Sequence, residues 1–244
     1  NHPAWKTADA KYNRSGGGGS WDIKALPAEW KITYRDLTFK IKPMGFKHTG
    51  LFPEQAVNWD WMAGLIRDAK RPVKVLNLFG YTGGATCACA KAGAHVTHVD
   101  AAKGMVQWAG DNRKLSRLDE TSVRWIVDDA LKFVQREQRR GNFYDGILMD
   151  PPSYGRGPGG EVWKLEDCVD ELVALAAKLV SDDALFFLIN SALSVSLPTI
   201  SCNCVIKISP LSRTSTRPIF LNNSIATTAV SKLVFVISAS LLIS

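Results

Sequence analysis

Asp and Glu are absent from the last 54 of the 244 residues, as are Gly, His, Gln, Met, Trp and Tyr, while 17 of those 54 are Ser or Thr. At the acidic content of the preceding chain, about six Asp or Glu would be expected there. Residues 191–244 therefore read as foreign to the domain before them, from a shifted frame or a mis-joined segment; a genuine Ser/Thr-rich β appendage is the alternative. A cysteine framework is missing too. Cys87, Cys89, Cys168, Cys202 and Cys204 are an odd set, and neither C-x-C pair has a second pair or a His cluster at zinc spacing. Reduced thiols, a cytoplasmic setting and no metal are expected. The opening residues contain no apolar core of a secretory signal. The apolar end at 229–244 has 16 residues with Lys232 inside, short of the roughly 20 that span a bilayer, so no membrane role is expected.

What is present fits one sizeable α/β core, with 46% hydrophobic and 22% charged residues. The net charge of +7 hints at a nucleic acid partner, but residues 1–190 hold 26 basic and 23 acidic residues, so charge alone favours RNA only slightly. Residues 1–29, with a glycine run at 16–19, read as a flexible lead-in. Residues 30–70 begin with an alternation around Arg35-Asp36 that predicts a β-hairpin. A polar loop follows, in which His48, Thr49, Glu54 and Gln55 are candidate ligand contacts. Then comes a helix carrying Val57, Trp61, Leu65 and Ile66, which Pro53-Glu54 would also start simply as a cap.

Residues 71–190 carry the chemistry. The run VKVLNLFGYTGG is a buried strand ending in Gly80, Gly83 and Gly84, a turn that permits positive φ and close ligand approach, with a small-residue helix after it. Asn77, Phe79, Gly80, Tyr81, Thr82 and Gly83 are its candidate cofactor contacts. Next, HVTHVD predicts a second strand closed by Asp100, with Ala101 beyond it. A carboxylate about 20 residues past a glycine turn is placed to accept from both ribose hydroxyls, and an N-cap is the alternative. His95 and His98 read as structural. Asp128 and Asp129 close a third strand before Ala130, placed either to accept from an adenine amine or to cap the next helix. A fourth strand ends in Asp150-Pro151-Pro152-Ser153-Tyr154. The prolines remove two donors and leave carbonyls free, Asp150 adds an acceptor, and Tyr154 offers a stacking face. An amphipathic helix over 161–180 and a fifth strand at 184–190 complete repeated βα units around a parallel sheet.

The turn spacing G-x-x-G-G is not the G-x-G-x-x-G of nicotinamide sites. A glycine turn, two strand-end acids and DPPS together describe a class I S-adenosylmethionine-binding domain, a Rossmann-like α/β fold. NLFGYTGGAT, HVTHVDAAKGMVQWAGDN, LMDPPSYGRG and KHTGLFPEQAVNWDWM resemble bacterial class I S-adenosylmethionine-dependent rRNA methyltransferases related to the large-subunit rRNA cytosine-C5 methyltransferase I, over residues 2–190. The resemblance implies S-adenosylmethionine as cofactor, ribosomal RNA as partner, and a ligand role for Lys47 to Gln55. It also implies that the family's N-terminal region, often RNA-binding, and its last two strands with their helices are lacking, leaving strand five as an open edge. Relatives that methylate C5 carry a cysteine after the fifth strand, where this chain has Asn190-Ser191-Ala192; covalent catalysis is therefore not expected. Direct methyl transfer to a base is expected, with Asp150, Pro151, Pro152 and Tyr154 as acceptor-side residues. Competing readings are a non-catalytic cofactor- or RNA-binding module and a protein or small-molecule methyltransferase.

Overall fold

A computed structural model describes residues 6–193 except 17, 46 and 158, with side chains as far as residue 190, and the backbone of 202–208 and 236–239. The lead-in is not a flexible arm over its described length. Ala10–Ser15 (β1) pairs antiparallel with Gly18–Ile23 (β2). These strands lack an apolar alternation, so their order comes from tertiary ties. Tyr12 meets Trp21 edge-on at 5.3 Å, and the Trp21 indole donates to the Met44 carbonyl at 2.8 Å.

The expected second hairpin is present: Trp30–Tyr34 (β3) pairs with Leu37–Ile41 (β4) around Arg35, whose φ is 50°. Leu37, Phe39 and Ile41 alternate into the core against Ala56–Ala69 (α1), which follows a short 3-10 turn at Pro53–Gln55. The outer edge of β4 is capped by side chains of the helix Lys103–Leu115 (α3) and the residue after it. Asn112 Oδ1 accepts from Lys40 N at 2.8 Å, and Ser116 Oγ accepts from Thr38 N at 3.0 Å. That is how an edge strand is kept from pairing elsewhere.

Five parallel strands form the scaffold: Lys74–Leu78 (β5), His95–Asp100 (β6), Val123–Val127 (β7), Gly146–Met149 (β8) and Phe186–Leu193 (β11). Their order in space is β11-β8-β5-β6-β7, so the direction of winding reverses at β5. That reversal opens the crevice in which such sheets hold ligands. Gly84–Lys91 (α2), α3, Ala130–Arg140 (α4) and Leu165–Ala177 (α5) fill the crossovers. Two apolar clusters occupy opposite faces of the sheet, one with Phe39, Met62 and Val75, the other with Leu76, Phe133 and Leu172.

Two differences from expectation bear on the site. The helix over 161–180 begins only at Leu165, because Val162–Lys164 (β10) pairs antiparallel with Tyr154–Arg156 (β9). And β11 is not an open edge: Cys202–Ile208 (β12) pairs antiparallel with it, and Val236–Ala239 (β13) with β12. Backbone pairing needs no particular side chains, which is why an abnormal composition did not forecast it. No helix among the described residues is long and apolar enough to cross a membrane.

Candidate active site

At the carboxyl ends of β5, β6, β7 and β8 lies a cleft of about 580 Å³. A pocket of about 70 Å³ adjoins it and shares Phe52, Gln55, Phe79, Tyr81, Asp150 and Asn190 with it.

The glycine turn is built differently from what its glycines suggested. Phe79 and Tyr81, not Gly80, have left-handed backbones, with φ of 56° and 50°; among the turn's glycines the positive φ belongs to Gly83, at 81°. Aromatic residues adopt that region only where surrounding bonds hold them. Here Gly80 N donates to Val99 O at 3.0 Å, and Tyr81 N donates to Asp100 Oδ2 at 2.8 Å. Gly80 is required for space, since a Cβ there would lie 2.3 Å from the ring of His98. That imidazole is fully buried and pushed down to about 3 by burial, so it is neutral, and its Nδ1 shares a 2.8 Å hydrogen bond with Thr86 Oγ1. Asn77 donates to the same hydroxyl, and Thr82 donates to Gly50 O. Asn77, Gly80 and Thr82 line the smaller pocket, whereas Gly83 lines neither and caps α2. Thr49 lines neither; its carbonyl accepts from Lys42 N at 3.1 Å. The neighbouring His48, Phe52, Glu54 and Gln55 reach the cleft instead.

Four strand-end carboxylates converge on the cleft. Asp100 accepts from Tyr81 N and, through Oδ1, from Ala102 N at 2.8 Å. Burial raises its pKa, and these two bonds oppose the rise. Each carboxylate oxygen keeps a second lone pair for a ligand. Asp128 pairs with Arg136, while Asp129 caps α4 by accepting from Lys132 N at 2.9 Å. Both still line the cleft, with Ala101 and Ala130. Asp150 is open to solvent at the cleft, yet the walls crowded around it desolvate the carboxyl and, with Glu54, push it up to about 6, against a hydrogen bond from Asn190.

Pro151 and Pro152 line the cleft with Asp150, but Tyr154 does not: it is 55% exposed at the start of β9. The turn is braced by Trp163, which is buried, donates from Nε1 to Pro152 O at 2.7 Å and packs on Phe79 at 4.9 Å. Leu165 N takes Ser153 O at 3.1 Å, so among the described residues only the Pro151 carbonyl of these three is left without a donor. Trp163 and Asn190 are the site residues that sequence reading missed. The Asn closing the apolar run FFLIN was the available signal for one, and Trp163 had none, lying where a helix was expected.

No described thiol lines the cleft: Cys87 and Cys89 are buried in α2 with pKa values pushed up to about 12, and Cys168 lies in α5. The side chains of Cys202 and Cys204 lie outside the described residues. Five carboxylates, Glu54 included, therefore face Arg156 and a His48 held below its ordinary pKa by burial and Lys47.

The sequence model of a family described as S-adenosylmethionine-dependent methyltransferase matches residues 10–196. The chain belongs to that family. The match includes the β1–β2 hairpin, in line with its ordered structure. The solved structure of the SAM-dependent methyltransferase from Agrobacterium tumefaciens is 43% identical with a TM-score of 0.76, covering 80% of this chain and 62% of that one. Curated relatives named Ribosomal RNA large subunit methyltransferase K/L are 34% identical over 119 residues in Syntrophotalea carbinolica and 31% over 149 in Shewanella loihica. These matches cover 48% and 61% of this chain but only 16% and 19% of those proteins, so the chain spans no more than a fifth of the curated relatives' length. Family membership makes S-adenosylmethionine the cofactor. The cleft fits it physically: it is large enough, and it offers a row of acceptors to ribose and amino hydrogens and to a cationic sulfur.

Proposed function

We propose that this chain transfers the methyl group of S-adenosylmethionine directly to an exocyclic amine of an RNA base, with ribosomal RNA as the substrate. Asp100 would hold the ribose, Asp128 or Asp129 the adenine edge, and the turn from Phe79 to Thr82 the methionine portion by close backbone approach. The cofactor supplies an electrophilic methyl on a sulfonium. Asp150 and the Pro151 carbonyl accept the hydrogens of the acceptor amine and so aim its lone pair along the line of transfer. Orientation of that kind accounts for much of the acceleration in such a reaction. A base within a duplex must first be unstacked to enter. The acidic cleft favours an uncharged base over a phosphate at its floor, and the ribosomal RNA names of the curated relatives support the choice of substrate. A cytoplasmic location accords with the free thiols among the described cysteines.

One observation carries the reading: Asp150 lines the cleft beside the Pro151 carbonyl, to which no described residue donates. Labelled methyl transfer to rRNA from cells lacking the protein is the test. Asp150→Ala should bind cofactor normally and transfer at least a hundredfold more slowly, in the range of one lost acid–base or positioning group. Full transfer by that variant would remove Asp150 from the reaction.

A further inference from the structure

β11 and β8 run parallel with Ile189 opposite Met149, so the next residues along each strand, Asn190 and Asp150, come side by side at the cleft floor. Asn190 is only 7% exposed and touches both cavities. Its Nδ2 donates to Asp150 Oδ1 at 3.0 Å, while no described residue donates to its Oδ1. A buried amide oxygen with no donor costs free energy unless something else fills that place. The arrangement is directional: with Nδ2 fixed by the carboxylate, the oxygen can only accept.

We propose that Asn190 contacts the methyl acceptor directly, its Oδ1 accepting one hydrogen of the amino group that receives the methyl. This rests on the reading of the cleft as an RNA amine methyltransferase site. Both hydrogens of the amine are then held: Asp150 accepts one, and Asn190 Oδ1 shares the other with the Pro151 carbonyl. Its lone pair is left as the one orbital free to react. In the transfer that lone pair forms the N–C bond, the S–C pair stays on sulfur, and the proton released from nitrogen goes to the Asp150 carboxylate. Asn190 thus has two roles, one on the acceptor and one in holding the carboxylate in place. The charged and titratable groups that line the cleft with Asp150 are His48, Glu54, Tyr81, Asp100, Asp128, Asp129 and Arg156.

Two variants separate these roles, assayed with labelled S-adenosylmethionine and rRNA from cells lacking the protein. Asn190→Leu keeps the branching at Cγ and removes both hydrogen bonds. Its cofactor affinity, which also reports that it folds, should match that of the unsubstituted chain, while transfer falls at least tenfold and the midpoint of the pH–rate profile moves above 6, since the bond that opposed the raised pKa is gone. Asn190→Asp keeps the acceptor oxygen but sets two carboxylates together, so they share a proton and the midpoint moves up further. Above that midpoint it should recover transfer that Asn190→Leu lacks. Transfer by Asn190→Leu at the original rate and midpoint overturns the proposal, as does Asn190→Asp performing no better than Asn190→Leu at every pH. If the unsubstituted chain methylates no RNA, the substrate reading itself fails, a result visible before any variant is made.

Discussion

At the scale of a residue, Asp100 has a structural task beside the ligand role proposed for it. Its oxygens fasten Tyr81 N and Ala102 N, and so fix the glycine turn to the end of β6 before any ligand arrives. An amide at this position could not accept through its nitrogen. Asp100→Asn is therefore expected to weaken S-adenosylmethionine binding about tenfold, or about 1.4 kcal/mol, in calorimetry; equal affinities would take the residue out of the site. At this scale the sequence was a good guide to position and a poorer one to cause. Gly80 was read as a source of positive φ, yet it is needed because the ring of His98 occupies its side-chain space. Only long-range packing decides that. Asp129 was offered as ligand contact or cap, and its bond to Lys132 N makes it a cap that also faces the cleft.

Elements show where periodicity serves and where it fails. The β4 alternation and the apolar runs of β5, β6 and β8 were legible because burial writes a pattern of 2 or a continuous run. The hairpins β1–β2 and β9–β10 carry no such pattern, being held by single tryptophans that reach elsewhere in the molecule. Trp163 is the clearer case, since it bridges the turn at Pro152 and the glycine turn at Phe79, both of which line the cleft. We expect Trp163→Phe, which keeps a ring but loses the Nε1 donor, to cost about 1 kcal/mol of stability. It should slow methyl transfer several-fold with cofactor affinity unchanged. A parallel loss of affinity would instead mean that the ring contact with Phe79, not the hydrogen bond, is what the site requires.

Across the whole molecule, one carboxylate knots the entry side of the sheet, opposite the cleft. Asp145 accepts from Lys74 N at 2.8 Å, from Arg71 at 2.9 Å and from Ser181 Oγ at 2.9 Å, joining the segments that lead into β5, β8 and β11. Burial pushes Asp145 up, but those three bonds outweigh it and hold the group below its ordinary value. A depressed carboxylate contributes stability above its unfolded pKa and loses it as pH falls through the folded one. Asp145→Ala should thus cost about 2–4 kcal/mol at pH 7 in urea unfolding. The gap should narrow below pH ~4, where the unsubstituted chain is losing the same contribution; a gap independent of pH would contradict the role. The acidity of the cleft has a consequence for turnover. Residues 1–190 are slightly basic, with 26 basic against 23 acidic residues, yet five carboxylates gather in a single concavity. Methyl donation turns a positively charged sulfur into a neutral one. With S-adenosylmethionine held in this cleft as proposed, the field that draws it in would loosen its hold on the spent thioether, giving exchange a direction that shape alone would not supply.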